Sequence, residues 1–211
     1  MIKKAIYLLA LLLGCINITG YATVYYNKAA GIGALQTLSN WGTSTTGTGT
    51  APSNFTTAGD VFNIVNGTSP ATITAPWVIT GVTVVVGNGS TLMGLTIPAG
   101  SSLTGTGVVN LSNNTVLTLQ NTTNPTLGTL NGNSTVDYNG TGAQTVVAAT
   151  YGNLTVSGAR AGTPAITFSG TTTVTGTATV TLTGAVSYVT TGNTFVYGKT
   201  TGGLTKQQTI V

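Results

Sequence analysis

Histidine and glutamate are absent from this 211-residue chain, aspartate occurs twice, and there is one cysteine, close to the N-terminus. Each scarcity excludes chemistry. General acid–base catalysis, metal ligation and activated nucleophiles draw on His, Glu, Asp, Cys or Lys. The chain therefore reads as non-enzymatic, with no catalytic residues, no cofactor and no metal site. Charged residues make up 4% of the sequence, against about 25% in ordinary globular domains, so hydroxyls, amides and backbone must keep the surface wet. A hydrophobic content of 41% with so little charge is the reverse of the composition of disordered chains. Helical periodicity is also missing beyond residue 22.

The N-terminus carries an export signal. Met1-Ile2-Lys3-Lys4 supplies a positive start and Ala5 to Leu13 an apolar run of signal-peptide length, too short to span a bilayer. Two processing routes stay open. Cleavage after Ala22 leaves a mature chain without cysteine, while Leu12-Leu13-Gly14-Cys15 resembles a lipoprotein box that would lipidate Cys15 and tether the protein to a membrane. Without Lys3 and Lys4, the cations are Lys28, Arg160, Lys199 and Lys206, set against Asp60 and Asp137. They form no basic cluster, which argues against nucleic acid as a partner.

What is abundant is threonine, at 47 positions, in short β-branched runs punctuated by Gly and Asn. Val82 to Val86, Thr115 to Leu119 and Leu154 to Val156 are examples, and such runs between turn residues predict many short strands. Threonine fills every odd position from Thr171 to Thr183, so this stretch predicts one strand with a hydroxyl face and a dry face. Repetition points further. Ser134 to Tyr138 followed by Gln144 to Val147 recurs as Asn193 to Tyr197 followed by Gln207 to Val211, an offset of 59 residues at the Thr-x-x-Tyr part. Thr115-Val116-Leu117 echoes in Thr135-Val136-Asp137 after 20 residues, the length of one coil of a parallel β-helix, so the 59-residue unit is expected to span about three coils. The expected architecture is all-β: a signal peptide at 1–22, an aromatic capping region at 23–66, and a right-handed parallel β-helix of roughly 20-residue coils over 67–211. The second repeat stops at Val211, where the first continues, so the chain is expected to be a truncated piece of a longer one.

Tyr25-Tyr26-Asn27-Lys28, Leu38-Ser39-Asn40-Trp41-Gly42, Gly47 to Pro52 and Val84 to Ser90 resemble the N-terminal region of large secreted surface proteins of Bacteroidota. Tyr138 to Val146 and Leu154 to Gly158 resemble the repeat of the same proteins. The resemblance implies an adhesin-like β-solenoid, usually exported by type IX secretion, and it brings no catalytic residues. The expected function is thus structural or adhesive, at the surface of a Gram-negative cell or outside it. Expected partners are surface glycans, other surface proteins and further repeats of the same chain. Trp41 and Trp77 are candidate glycan-stacking aromatics, competing with a role as filling at the junction of cap and solenoid.

Sharper chemistries are weaker. Asp60 and Asp137 are the only carboxylates a glycosidase could use, and they lie far apart in the sequence. A calcium β-roll needs recurrent Gly-Gly-x-Gly-x-Asp units, which the chain lacks. Gly31-Ile32-Gly33 does not open a helix, so it is no dinucleotide loop. Asn-x-Ser/Thr triplets are frequent, as chance requires in so Asn- and Thr-rich a chain, and read as turns. Two alternatives to the adhesin remain: the solenoid part of a larger polysaccharide-active enzyme, and a Thr-rich ice-binding surface, which would need its threonine ranks in register on successive coils.

Overall fold

The computed structural model describes residues 21–158 and the strands at 165–168, 171–176, 180–182, 187–189 and 194–199. Cys15 and the 1–22 signal segment up to residue 20 lie outside the described residues, as does the second Gln-Thr element at 207–211.

The chain opens with β1 (Val24–Asn27) and β2 (Trp41–Gly42). Strands then recur in groups: β3 (Val61–Ile64), β4 (Ala71–Thr72) and β5 (Trp77–Val78); β6 (Thr83–Val86), β7 (Met93–Ile97) and β8 (Leu103–Thr104); β9 (Val108–Leu111) and β10 (Thr115–Leu119). After these come β11 (Thr126–Leu130), β12 (Thr135–Tyr138) and β13 (Gln144–Val146); β14 (Thr150–Tyr151), β15 (Asn153–Val156) and β16 (Ala165–Phe168); β17 (Thr171–Gly176), β18 (Val180–Leu182) and β19 (Ser187–Val189); and β20 (Thr194–Lys199). Pairing follows the same cycle. One parallel sheet runs β3-β6-β9-β11, a second β4-β7-β10-β12-β15-β18, and the third position is filled by β5-β8 and then β13-β16-β19. The result is a parallel β-solenoid with about 22 residues per turn, slightly more than the expected 20.

Alternation explains the core. The strands β3, β6 and β9 each bury their second and fourth residues, so Phe62, Val84 and Val109 stack in register, as do Ile64, Val86 and Leu111. On the second face, Leu95, Leu117, Val136 and Leu154 form one inward column, and Ile97, Leu119, Tyr138 and Val156 form the next. Each rung covers the apolar faces of its neighbours, so burial accumulates by stacking. Neighbouring rungs lie about 4.7–4.9 Å apart.

Polar side chains tie one turn to the next. Asn121 Nδ2 donates to the Ser101 carbonyl (2.8 Å), Asn131 Nδ2 to Leu111 (2.8 Å) and Asn153 Nδ2 to Ser134 (3.0 Å), each about 20 residues back in the chain. Gln144 Nε2 donates to both Leu119 and Asn121 carbonyls, and its Oε1 accepts from Gly140 N–H. At Leu111 and Ser134 the same carbonyls also accept the Asn131 and Asn153 backbone amides, so each of these asparagines clasps one corner carbonyl twice. Gly152 is required for a different reason: a Cβ there would collide with the Asn131 carbonyl.

The first end is built from rings. Trp41 meets Phe62 edge-on at 5.1 Å and lies 5.8 Å from Trp77, Phe55 packs on Phe62 and Trp77 at 5.1 Å each, and Tyr25 stacks on Phe62 at 5.2 Å. Because β1 pairs parallel with β3 and antiparallel with β2, the short β2 covers the outer edge of the first sheet, one of the ways natural sheets protect such edges. Asn27, fully buried, clasps this end. Its Oδ1 accepts from the Val65 and Asn66 amides, its Nδ2 donates to the Asn66 carbonyl, and Asn66 Nδ2 answers to the Asn27 carbonyl.

Three expectations are corrected. Thr171 to Thr183 is not one strand: β17 pairs with β14 and β20, whereas β18 pairs with β15 in another sheet. Among the described residues no strand is longer than six residues. The 20-residue echo is out of phase by one, since Val116 pairs with Thr135 and Leu117 with Val136. Thr115 is consequently buried, its hydroxyl donating to the Ser112 carbonyl at 2.6 Å, while Thr135 points outward; a slip of one residue exchanges the two faces. Finally, β12 and β20 sit in different sheets, so the 59-residue sequence unit is not a whole number of turns.

Candidate functional site

Among the described residues, the outward side of the second face carries a regular surface. Strand register aligns Thr72, Thr96, Thr118, Asp137 and Thr155 as one outer column. A parallel column two residues earlier contains Gly94, Val116, Thr135 and Asn153. Thr72, Thr96, Thr118, Asp137 and Thr155 are all half-buried by their neighbours along the column. Side chains repeat at the rung spacing of about 4.8 Å, so hydroxyl donors and acceptors recur at a fixed period along the axis.

One edge of this surface is a hydrogen-bonded stripe. Gln120 Nε2 donates to Asn139 Oδ1 (3.4 Å), Asn139 Nδ2 donates to Ser157 Oγ (2.6 Å), and Ser157 Oγ donates to the Asp137 carboxylate (2.7 and 2.8 Å). Asp137 is thereby held as an acceptor within a fixed network. Asp60 is placed otherwise: it is buried in the first end, where Oδ1 accepts the Thr23 amide at 2.8 Å. Asp137 stands three rungs further on, about 14 Å along the axis at the usual rung spacing. The two carboxyls of a glycosidase stand within about 9.5 Å of each other, so the fold does not bring these together as such a pair.

Trp41 and Trp77 are 0% and 1% exposed. Neither presents a ring face to a sugar, and the glycan-stacking role is replaced by core filling. Their indoles differ, because Trp41 Nε1 donates to the Leu35 carbonyl (2.7 Å) while Trp77 Nε1 has no acceptor. The threonine column meets one requirement of an ice-binding surface, register on successive rungs. It fails another, for Asp137 interrupts it and the neighbouring column mixes Gly, Val, Thr and Asn, so no second threonine rank lies beside it.

Sequence reasoning missed a buried polar cluster near the third face. Val147 N–H donates to Tyr138 Oη, the two phenol oxygens lie 3.0 Å apart, and Tyr151 Oη donates to the Val147 carbonyl, closing a ring of hydrogen bonds. Burial holds both phenols protonated well above their ordinary range; for Tyr151 the neighbouring Tyr138 adds to this, whereas for Tyr138 its two hydrogen bonds partly offset it. The only hint in the sequence is two tyrosines at strand positions whose neighbours are aliphatic. Nearby, Asn124, Pro125, Thr126, Leu127, Val147 and Ala148 line an open groove of about 330 Å³. Among the described residues there is no group of three or more His, Cys, Asp or Glu, and no helix long and apolar enough to cross a membrane.

The fold and its outer columns define the class: a parallel β-solenoid with a hydroxyl- and amide-rich face that carries a single carboxylate, Asp137. No protein-family model, curated protein or solved structure matches the chain.

Proposed function

We propose that the chain is a non-catalytic structural solenoid of adhesin-like character, secreted or held at the surface of a Gram-negative cell. Its Thr- and Asn-rich outer faces contact surface glycans, matrix or other surface proteins. The observation that carries this reading is the in-register outer column from Thr72 to Thr155 beside the Gln120–Asn139–Ser157 stripe. Such a face recognises a repetitive, hydroxyl-bearing partner through many weak hydrogen bonds, and their number rather than their individual strength supplies the avidity. Lys3, Lys4 and the Ala5 to Leu13 run support export, the resemblance to Bacteroidota surface proteins supports type IX secretion, and lipidation of Cys15 would add a membrane anchor.

The test is retention of the purified chain on immobilised polysaccharides and on intact cell surfaces. Binding that disappears in Thr96→Arg/Thr118→Arg, with circular dichroism and melting unchanged, supports the reading. Binding unaffected by those substitutions, or none to any surface offered, contradicts the adhesive role of this face.

A further inference from the structure

Four asparagines are followed by glycine: Asn66, Asn88, Asn131 and Asn139. An Asn-Gly pair can cyclise without an enzyme, because the glycine nitrogen carries no bulky neighbour and can reach the side-chain carbonyl. The four amides are held very differently. Asn66 Nδ2 donates to the Asn27 and Thr45 carbonyls (2.7 and 2.8 Å), fixing the side chain away from its own backbone. Asn139 Nδ2 is held by Ser157 (2.6 Å), and the nucleophile it needs, the buried Gly140 N–H, is committed to Gln144 Oε1 (2.8 Å). Asn131 Nδ2 is tied to the Leu111 carbonyl at 2.8 Å.

Asn88 alone combines the features of a reactive site. It is exposed, and no hydrogen bond restrains its Nδ2. Its Oδ1 accepts from the Ser90 N–H (2.9 Å) and the Thr91 N–H (3.3 Å). These donors polarise the amide carbonyl and lie where negative charge develops when Cγ is attacked. Gly89 has φ +83°, a backbone region that favours glycine, and only the Asn113 amide nitrogen, at 4.0 Å, would approach a side chain there. The Asn114 side chain steadies the corner by donating to the Gly89 carbonyl (3.0 Å).

We propose that Asn88–Gly89 is a self-modification site whose only co-reactant is water. The Gly89 nitrogen loses its proton to hydroxide and bonds to Asn88 Cγ. The tetrahedral Oδ1 anion is held by the Ser90 and Thr91 amides; as it collapses, the Cγ–Nδ2 bond breaks, and the amide nitrogen takes a proton from water and leaves as ammonia. Water then adds to either carbonyl of the succinimide, giving aspartate or isoaspartate at position 88. A third carboxylate enters a chain that has two. In the isoaspartate form the backbone runs through the former side chain and lengthens the corner between β6 and β7.

The experiment incubates the full chain in warm, mildly alkaline buffer and follows all four sites by peptide mass spectrometry, in native buffer and in concentrated urea. Native Asn88 is expected to convert at least about tenfold faster than the other three, a modest share of what an oxyanion donor contributes to a rate. In urea the four rates should converge. Asn88→Gln should abolish the early acidic shift on isoelectric focusing. Equal native rates, a different leading site, or the same ranking in urea would overturn the proposal.

Discussion

The first end of the solenoid and its middle turns solve one problem in different ways. A middle rung has a neighbour on both sides, so aliphatic columns such as Leu95–Leu117–Val136–Leu154 suffice, and single asparagines tie the corners. The first rung has a neighbour on one side only. It is closed instead by five aromatic rings, an antiparallel β2 and the reciprocal Asn27–Asn66 clasp. Large rings belong where stacking cannot supply burial, because each removes more area from water than an aliphatic side chain does.

The sharpest way to break this contrast is Trp41→Ala. Loss of a fully buried indole at the centre of the ring cluster should cost about 3–5 kcal/mol, read as a lower midpoint in urea denaturation. Hydrogen exchange should rise first in β1 and β3, whereas Leu117→Ala, costing about 2–5 kcal/mol, should raise it first in β7, β10 and β12. Asn27→Ala comes next. It strips the acceptor from the Val65 and Asn66 amides, at about 1–3 kcal/mol for each amide left unpaired. Asn121→Ala, which removes one bond to Ser101, should cost only about 1 kcal/mol.

Alkali should expose the middle turns more than the first end. Tyr138 and Tyr151 stay protonated in the fold, chiefly because they are buried, while in the unfolded chain they ionise at about pH 10. The unfolded state then binds fewer protons, so stability is intact below that pH and falls above it. The slope is about 1.4 kcal/mol per pH unit for each phenol. Melting temperature against pH should therefore bend downward above that point, and less steeply in Tyr151→Phe. The smallest effect compares the two indoles. Trp77→Phe deletes an N–H that has no acceptor and should cost about 1 kcal/mol less than Trp41→Phe, which forfeits the bond to Leu35.

Strand content and the parallel solenoid were legible because β-branched runs between Gly and Asn report period two directly. Phase was harder. Thr115-Val116-Leu117 and Thr135-Val136-Asp137 look equivalent by identity, yet the fold pairs Leu117 with Val136, because inward volume rather than residue name sets register. The long threonine alternation hid the division into β17 and β18, since hydroxyls at odd positions run through both strands although they belong to different sheets. Partners distant in sequence were invisible, among them Asn27 with Asn66. The candidate surface is legible only in outline: the wealth of hydroxyls points to a polar exterior, but the alignment of Thr72, Thr96, Thr118 and Thr155 depends on turn lengths that vary from one coil to the next.

The central claim is that register, and it can be measured directly. In a Cys15→Ser background, nitroxide labels at paired cysteines on the outer column report separation by their spin–spin coupling. Thr96 with Thr118, and Thr118 with Asp137, are one rung apart, about 4.8 Å, whereas Thr96 with Thr155 spans three rungs, about 14 Å. Strong broadening for both one-rung pairs and much weaker coupling for the three-rung pair is the expected result. Comparable coupling in all three pairs, or none in the one-rung pairs, would contradict the solenoid register.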